Sequence, residues 1–292
     1  MLTSLFKDDE GAGNERIHYS WLRADFPESE YIVYPNVALQ VIIDSEYPAV
    51  KEELYEGTEW IEAWDIQWSP WNFFQNSSVD LCVIRKSDYL AQVAFEIDGG
   101  SHSSIGRRKK DELKTLLFNR AGIPLVRLRV YRDQSDTSKW LNLEEEIERL
   151  SGGPQGVAEL LIDTRGRKVI CADNVKEYFE LLNRVFSPDE YVVLPNVALQ
   201  SIFTSEVRMA EYSDRDCRQR GLVDFCVFGK EDLCPVIAFT VSEDWVRQRV
   251  FRFFGLPLLD LPFCLEGGIA VSSQEAISRI QRRAVEALRS SK

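Results

Sequence analysis

Phe95-Glu96-Ile97-Asp98-Gly99-Gly100-Ser101-His102 sets two carboxylates, a glycine pair and one of the chain's two histidines at the end of an apolar run. Just upstream, Val79-Asp80-Leu81-Cys82-Val83-Ile84 is a second apolar run broken by a single acid. Such runs read as buried strands. Acids at strand ends, aimed at a glycine-rich loop, suit a hard divalent cation that takes oxygen ligands.

The chain then repeats this layout with the acids removed. Val223-Asp224-Phe225-Cys226-Val227-Phe228 matches the first element, whereas Phe239-Thr240-Val241-Ser242 stands where Phe95-Glu96-Ile97-Asp98 did. The duplication is anchored by Tyr31-Ile-Val-Tyr-Pro35-Asn-Val-Ala-Leu-Gln40, which returns as Tyr191-Val-Val-Leu-Pro195-Asn-Val-Ala-Leu-Gln200. Tyr31 to Tyr191 is an offset of 160, Asp80 to Asp224 of 144, and Gly122 to Gly255 of 133. The second copy is therefore shorter by 16 residues before its second strand and by 11 after its third. Those deletions remove a tryptophan-rich insert and the glycine-histidine loop, and they spare the core pattern. One working site and one retired copy is the expectation.

Composition narrows the class. A chain of 292 residues with a clear repeat suits two domains. We expect a first domain over 1–150, a linker at 151–156 (Ser-Gly-Gly-Pro-Gln-Gly) and a second domain over 157–292. The net charge of -12 argues against a generally basic nucleic-acid coat, but the field at one groove depends on nearby charges. None of the six cysteines forms a CxxC pair, and Cys82 and Cys226 fall at the same place in the two copies. That pattern suits buried, reduced thiols in the cytoplasm. Histidine is too scarce for a zinc site. The acidic start, Met1 to Glu10, lacks a signal-peptide core, and no apolar run is long enough to span a bilayer.

Each copy opens with a helix, over Asn14 to Ala24 and over Asn174 to Val185. Strand pairs follow, Asp80 to Ile84 with Ala91 to Ile97 and Asp224 to Phe228 with Pro235 to Val241. Their short polar connections predict antiparallel hairpins. A helix from Arg107 to Ala121 carries Leu113, Leu116 and Leu117 at helical spacing and is stopped by Gly122 and Pro124. The run Leu125 to Val130 is then a strand parallel to the one before the helix. Closing helices are expected over Leu141 to Leu150 and Gln274 to Leu288.

This order resembles the restriction-endonuclease-like, or PD-(D/E)xK, nuclease superfamily, and more closely the bacterial domains related to the very-short-patch-repair endonuclease. The resemblance rests on Val79-Asp80-Leu81, on Glu96-Ile97-Asp98-Gly99-Gly100-Ser101-His102, on Asp111-Glu112-Leu113-Lys114 and on Gly122-Ile123-Pro124-Leu125-Val126-Arg127, in that order over about residues 14 to 150. It implies an α/β fold of two tandem restriction-endonuclease-like domains, each a small mixed sheet flanked by helices. It also implies a Mg²⁺- or Mn²⁺-dependent endonuclease acting on nucleic acid, DNA before RNA, with the second domain degenerate.

The implied metal ligands are Asp80, Glu96, the Ile97 carbonyl and Asp98. Asp98 departs from the superfamily, whose lysine usually stands two residues after the glutamate. Asp98 is then either a further ligand or an orienter of water, and Lys114 supplies the positive charge from the helix. His102 is either a general acid for the leaving oxygen or a phosphate contact. Each has an ordinary alternative: a turn aspartate, a solvated histidine, and a Lys114 paired with Asp111 along an exposed helix face.

Arg107, Arg108, Lys109 and Lys110 make a basic helix start beside the acids, joined by Arg127 and Arg129, and are candidate nucleic-acid contacts. Trp60, Trp64 and Trp68 recur at i, i+4, with Trp71, Phe73 and Phe74 beyond. They suit a packed lid, a base-stacking platform or a face for a protein partner. The rival to an enzyme is a nuclease-fold scaffold or nucleic-acid-binding subunit that has lost its chemistry. A phosphodiesterase for small nucleotides is disfavoured because no phosphate loop is present.

Overall fold

The computed structural model describes residues 12–55, 69–98, 105–129, 166, 168–170, 173–203, 221–241, 245–265, 270–271 and 273–290. The chain divides into two compact units, Asp9–Val169 and one whose described part begins at Ile170. The segments 141–150 and 151–156, expected as helix and linker, lie outside the described residues.

The first unit runs α1 (Ala12–Asp25), β1 (Tyr31–Ala38), α2 (Leu39–Ile42), α3 (Pro48–Tyr55), α4 (Pro70–Asn76), β2 (Ser78–Arg85), β3 (Ala91–Asp98), α5 (Ile105–Arg120) and β4 (Leu125–Arg129). Its four-stranded sheet has the order β1-β2-β3-β4, with the first two pairings antiparallel and β3–β4 parallel. α5 is thus the crossover that parallel neighbours require. Pro35 sits on the edge strand β1, where a missing N–H is tolerated.

Local chemistry explains the turns. Between β2 and β3, Asp88 Oδ1 accepts the Leu90 amide (3.2 Å) while its carboxylate pairs with Arg85, an Asx-type turn that ends with Tyr89 in left-handed backbone. α4 starts on Ser69, whose hydroxyl accepts the Asn72 amide (3.1 Å), with Pro70 in the first turn. α5 stops because Gly122 turns to φ 68, letting the Ile123 amide reach back to the Phe118 carbonyl (3.0 Å).

Strand register assigns the faces. Leu81 faces Phe95 and Val83 faces Val93 on one side, and Cys82 faces Ala94 on the other, all buried. Asp80 and Glu96 continue the Cys82–Ala94 side, the side that α5 covers through Lys114. A short stretch near the end of this unit straps back onto it. The Gly166 carbonyl accepts the Asp44 amide (2.9 Å), and the Lys168 amide donates to the Ile42 carbonyl (3.0 Å).

The second unit runs α6 (Asp173–Val185), β5 (Tyr191–Ala198), α7 (Leu199–Ile202), β6 (Leu222–Gly229), β7 (Pro235–Thr240), α8 (Trp245–Phe254), β8 (Leu258–Asp260), α9 (Leu261–Cys264) and α10 (Gln274–Ser290). Its sheet repeats the first in order, direction and bulge position, β5-β6-β7-β8 with β7–β8 parallel. α6 covers the aromatic face: Phe179 stacks on Phe225 and Phe186 meets Phe239 edge-on. Asp232 repeats the Asp88 turn by accepting the Cys234 amide (2.9 Å). Both units are therefore four-stranded mixed sheets flanked by helices. No helix among the described residues is long and apolar enough to cross a membrane.

Candidate metal and catalytic site

Three elements meet at one end of the first sheet. β2 supplies Asp80, β3 supplies Glu96 and Ile97, and α5 supplies Lys114. Asp80 Oδ2 accepts the Ile97 amide at 2.7 Å, so the first acid is tied to the strand that carries the second. Lys114 Nζ donates to Glu96 Oε1 (2.8 Å) and to the Ser78 carbonyl (2.9 Å), joining all three elements. Both charged side chains of that pair are nearly enclosed, Glu96 13% and Lys114 12% exposed.

Burial pushes the Glu96 carboxyl up, the Lys114 ammonium pulls it back, the Asp80 charge pushes it up again, and Lys114 and Arg127 lower it less; the net is above the ordinary value. The Asp80 carboxylate therefore stands close enough to Glu96 to raise its cost of ionising. Two such acids form an electronegative point that a cation relieves. Lys114 already supplies one positive charge there.

Asp98 ends β3 in register with Arg129 of β4. The side chains of Asp98, Arg129, Arg107 and Arg108 lie outside the described parts, as do His102, Trp60, Trp64 and Trp68 altogether. Lys109 and Lys110 are half-buried on α5. Arg127 turns back onto α5, donating from Nη2 to the Asp111 carbonyl (3.1 Å) and to Thr115 Oγ1 (3.2 Å). Lys114 is paired with Glu96 on β3 rather than with Asp111 along its own helix. Trp71 lies on α4 with its ring 5.0 Å from Tyr55 and 5.7 Å from Phe74. A groove of about 450 Å³ between α5 and β4 is lined by Asp111, Thr115, Asn119 and Arg127 among others, and includes neither Asp80 nor Glu96.

No group of three or more histidine, cysteine, aspartate or glutamate side chains suited to a metal occurs among the described residues. Two carboxylates beside a strand-end carbonyl still fit Mg²⁺ or Mn²⁺, because magnesium keeps several waters and is commonly held by one or two carboxylates.

The second unit holds the counterpart of this site. Asp224 Oδ2 accepts the Val241 amide (2.9 Å), the same bond Asp80 makes to Ile97. Thr240 replaces Glu96, is 1% exposed, and donates its hydroxyl to Asp224 Oδ2 (2.8 Å). Arg247, which stands at the position of Lys114, lies 3.6 Å from that same oxygen. Here the aspartate is satisfied from three sides by its own protein. The sequence shows both aspartates but not this network, because Thr240 and Arg247 meet at Asp224 only in the folded unit.

A family model described as a protein of unknown function (DUF2726) matches residues 12–146, which fall within the first unit. Neither the curated proteins nor the solved structures contain a match to the chain.

Proposed function

We propose that the first unit is a metal-dependent nuclease of restriction-endonuclease-like fold and that the second is its inactive copy. What carries this is the meeting of Asp80, Glu96 and Lys114 from three elements at one sheet end, in the strand order that the sequence resemblance implies. Asp80, Glu96 and the Ile97 carbonyl are the residues that would hold Mg²⁺ or Mn²⁺, with Asp98 as a further ligand or orienter of water. Bound there, the ion would neutralise phosphate oxygens and activate a water. Lys114 stabilises negative charge developing on the phosphate, and His102 protonates the leaving oxygen or contacts phosphate. Arg107, Arg108, Lys109, Lys110, Arg127 and Arg129 are the proposed nucleic-acid contacts. Trp60, Trp64, Trp68 and Trp71 are the proposed stacking or partner surface. DNA is the favoured substrate because the resembling families mostly act on it.

A second reading, a scaffold or nucleic-acid-binding subunit without chemistry, is favoured by one observation. The Asp80–Ile97 bond recurs as Asp224–Val241 where the glutamate is gone, so this bond serves the fold whether or not a metal is held.

The test is hydrolysis of single- and double-stranded DNA and RNA with Mg²⁺ or Mn²⁺, comparing wild type with Glu96→Gln. Cleavage that the substitution abolishes supports the enzyme. Absence of cleavage on all four substrates with either metal supports the scaffold.

A further inference from the structure

β1 and β2 pair from Tyr31↔Arg85 to Ala38↔Ser78, and because Pro35 pairs with Leu81 and Val37 with Val79, Asn36 stands directly across from Asp80. Asn36 has φ 51, the left-handed region that asparagine enters more readily than other side-chain-bearing residues. The ladder changes phase somewhere along this pairing. Beyond one end the Lys86 amide donates to the Glu30 carbonyl (2.7 Å), and beyond the other the Leu39 amide donates to the Ser77 carbonyl (2.9 Å). A regular antiparallel ladder bonds only alternate residues of a strand, yet Glu30 and Leu39 are an odd number of positions apart and neither strand has an inserted residue.

The second unit repeats every part of this. Asn196 has φ 51 and stands across from Asp224, between Pro195↔Phe225 and Val197↔Val223. The Lys230 amide donates to the Glu190 carbonyl and the Leu199 amide to the Gly221 carbonyl, with the same odd spacing. In each unit the aspartate across from the left-handed asparagine sends its carboxylate the other way, to the amide of Ile97 or Val241. Glu96 has no acidic counterpart in the second unit, so the asparagine accompanies the aspartate and not the glutamate.

We infer that Asn36 is a positioning residue for Asp80: its left-handed backbone resets the twist of the β1–β2 pair at that one position and so aims the Asp80 carboxylate away from β1 and toward Ile97 and Glu96 on β3. This role rests on the metal-site proposal. The duplicate supplies an internal control, since Asn196 strains the same turn of backbone beside a site that lacks the second acid.

The experiment is equilibrium binding of Mn²⁺ alone to the full chain, with melting curves on the same samples. Valine is β-branched and resists left-handed backbone, whereas glycine adopts it freely. Asn36→Val is expected to weaken the tightest Mn²⁺ site by about tenfold or more, as loss of an outer-sphere support does. Asn36→Gly is expected to stay within about twofold, because it keeps the backbone. Asn196→Val should lower the melting temperature comparably and leave Mn²⁺ affinity unchanged. If Asn36→Val does not fold, Asn36→Ala replaces it, with weaker Mn²⁺ binding again expected. Unchanged affinity in folded Asn36→Val (or in Asn36→Ala where the valine variant does not fold), or an equal loss in Asn196→Val, overturns the positioning role alone. A wild-type chain that binds no Mn²⁺ overturns the metal site and this role together.

Discussion

Lys114 Nζ sits 2.8 Å from Glu96 Oε1 with both side chains nearly enclosed, so the helix that crosses over the sheet delivers its ammonium to the acid at the end of β3. The same nitrogen holds the Ser78 carbonyl at the start of β2. One lysine therefore closes β2, β3 and α5 onto each other and neutralises an acid that burial disfavours.

Lys114→Met leaves Glu96 enclosed without that charge. We expect a loss of about 2–4 kcal/mol at neutral pH, slightly under the usual cost of breaking a buried pair because both groups keep some solvent. Denaturant unfolding of the full chain measures it. A variant within about 0.5 kcal/mol of wild type, the range of ordinary surface substitutions, would show that the pair does not matter to the fold.

The pH dependence has a definite sign. Glu96 titrates above its ordinary 4.5 in the folded chain, chiefly because of burial, so the folded state holds the proton more tightly than the unfolded one. Its contribution is complete below the unfolded value and is lost as pH rises through the folded one. Glu96→Gln removes this titration. The stability of wild type relative to Glu96→Gln should therefore fall as pH rises above about 4.5, by no more than about 1.4 kcal/mol per pH unit. A relative stability that climbs with pH over the same window contradicts the assignment.

In the second unit, Thr240→Val keeps the shape of a buried side chain and deletes the hydroxyl that Asp224 accepts. A hydrogen bond to a charged group contributes about 1.5–3 kcal/mol, and Asp224 keeps the Val241 amide, so a loss of about 1–2 kcal/mol is expected. Metal-dependent cleavage, measured in parallel, should not change.

Two glycines separate crowding from backbone conformation. A Cβ on Gly166 would lie 2.6 Å from Ala121 Cα and 2.9 Å from Tyr47 Cδ1, whereas one on Gly255 meets nothing within 4 Å but sits at φ 70. Gly166→Ala should destabilise by about 1–3 kcal/mol through overpacking. Gly255→Ala should cost about 1–2 kcal/mol from its left-handed backbone alone. Melting curves check both; a neutral Gly166→Ala would mean that the strap is not held as described.

Much of this architecture was legible because its signals are local. The apolar runs with short polar turns gave antiparallel hairpins, and Gly122 with Pro124 marked the end of α5 before a parallel β4. PNVALQ exposes the duplication, but its asparagine carries no signal of its own, since a left-handed residue inside a strand has no periodic signature. The strap at Gly166 was equally invisible: its reason is close approach to Ala121 and Tyr47, residues far away in sequence. At the site, motif order points to Asp80, Glu96 and Lys114. It does not give the lysine's partner, because Asp111 is nearer along the helix than Glu96 is in sequence.

The two aspartates make the most direct comparison, since each accepts the amide at the equivalent place in its own unit. Cleavage of nucleic acid with Mg²⁺ or Mn²⁺ should be measured for wild type, Asp80→Asn and Asp224→Asn, all checked for intact folding. Wild type should cleave, Asp80→Asn should lose about 100-fold or more, and Asp224→Asn should retain activity within about twofold, because only the first aspartate stands beside a glutamate. Equal losses in both variants, or a wild type that cleaves with neither metal, would contradict a working site in the first unit and a retired one in the second.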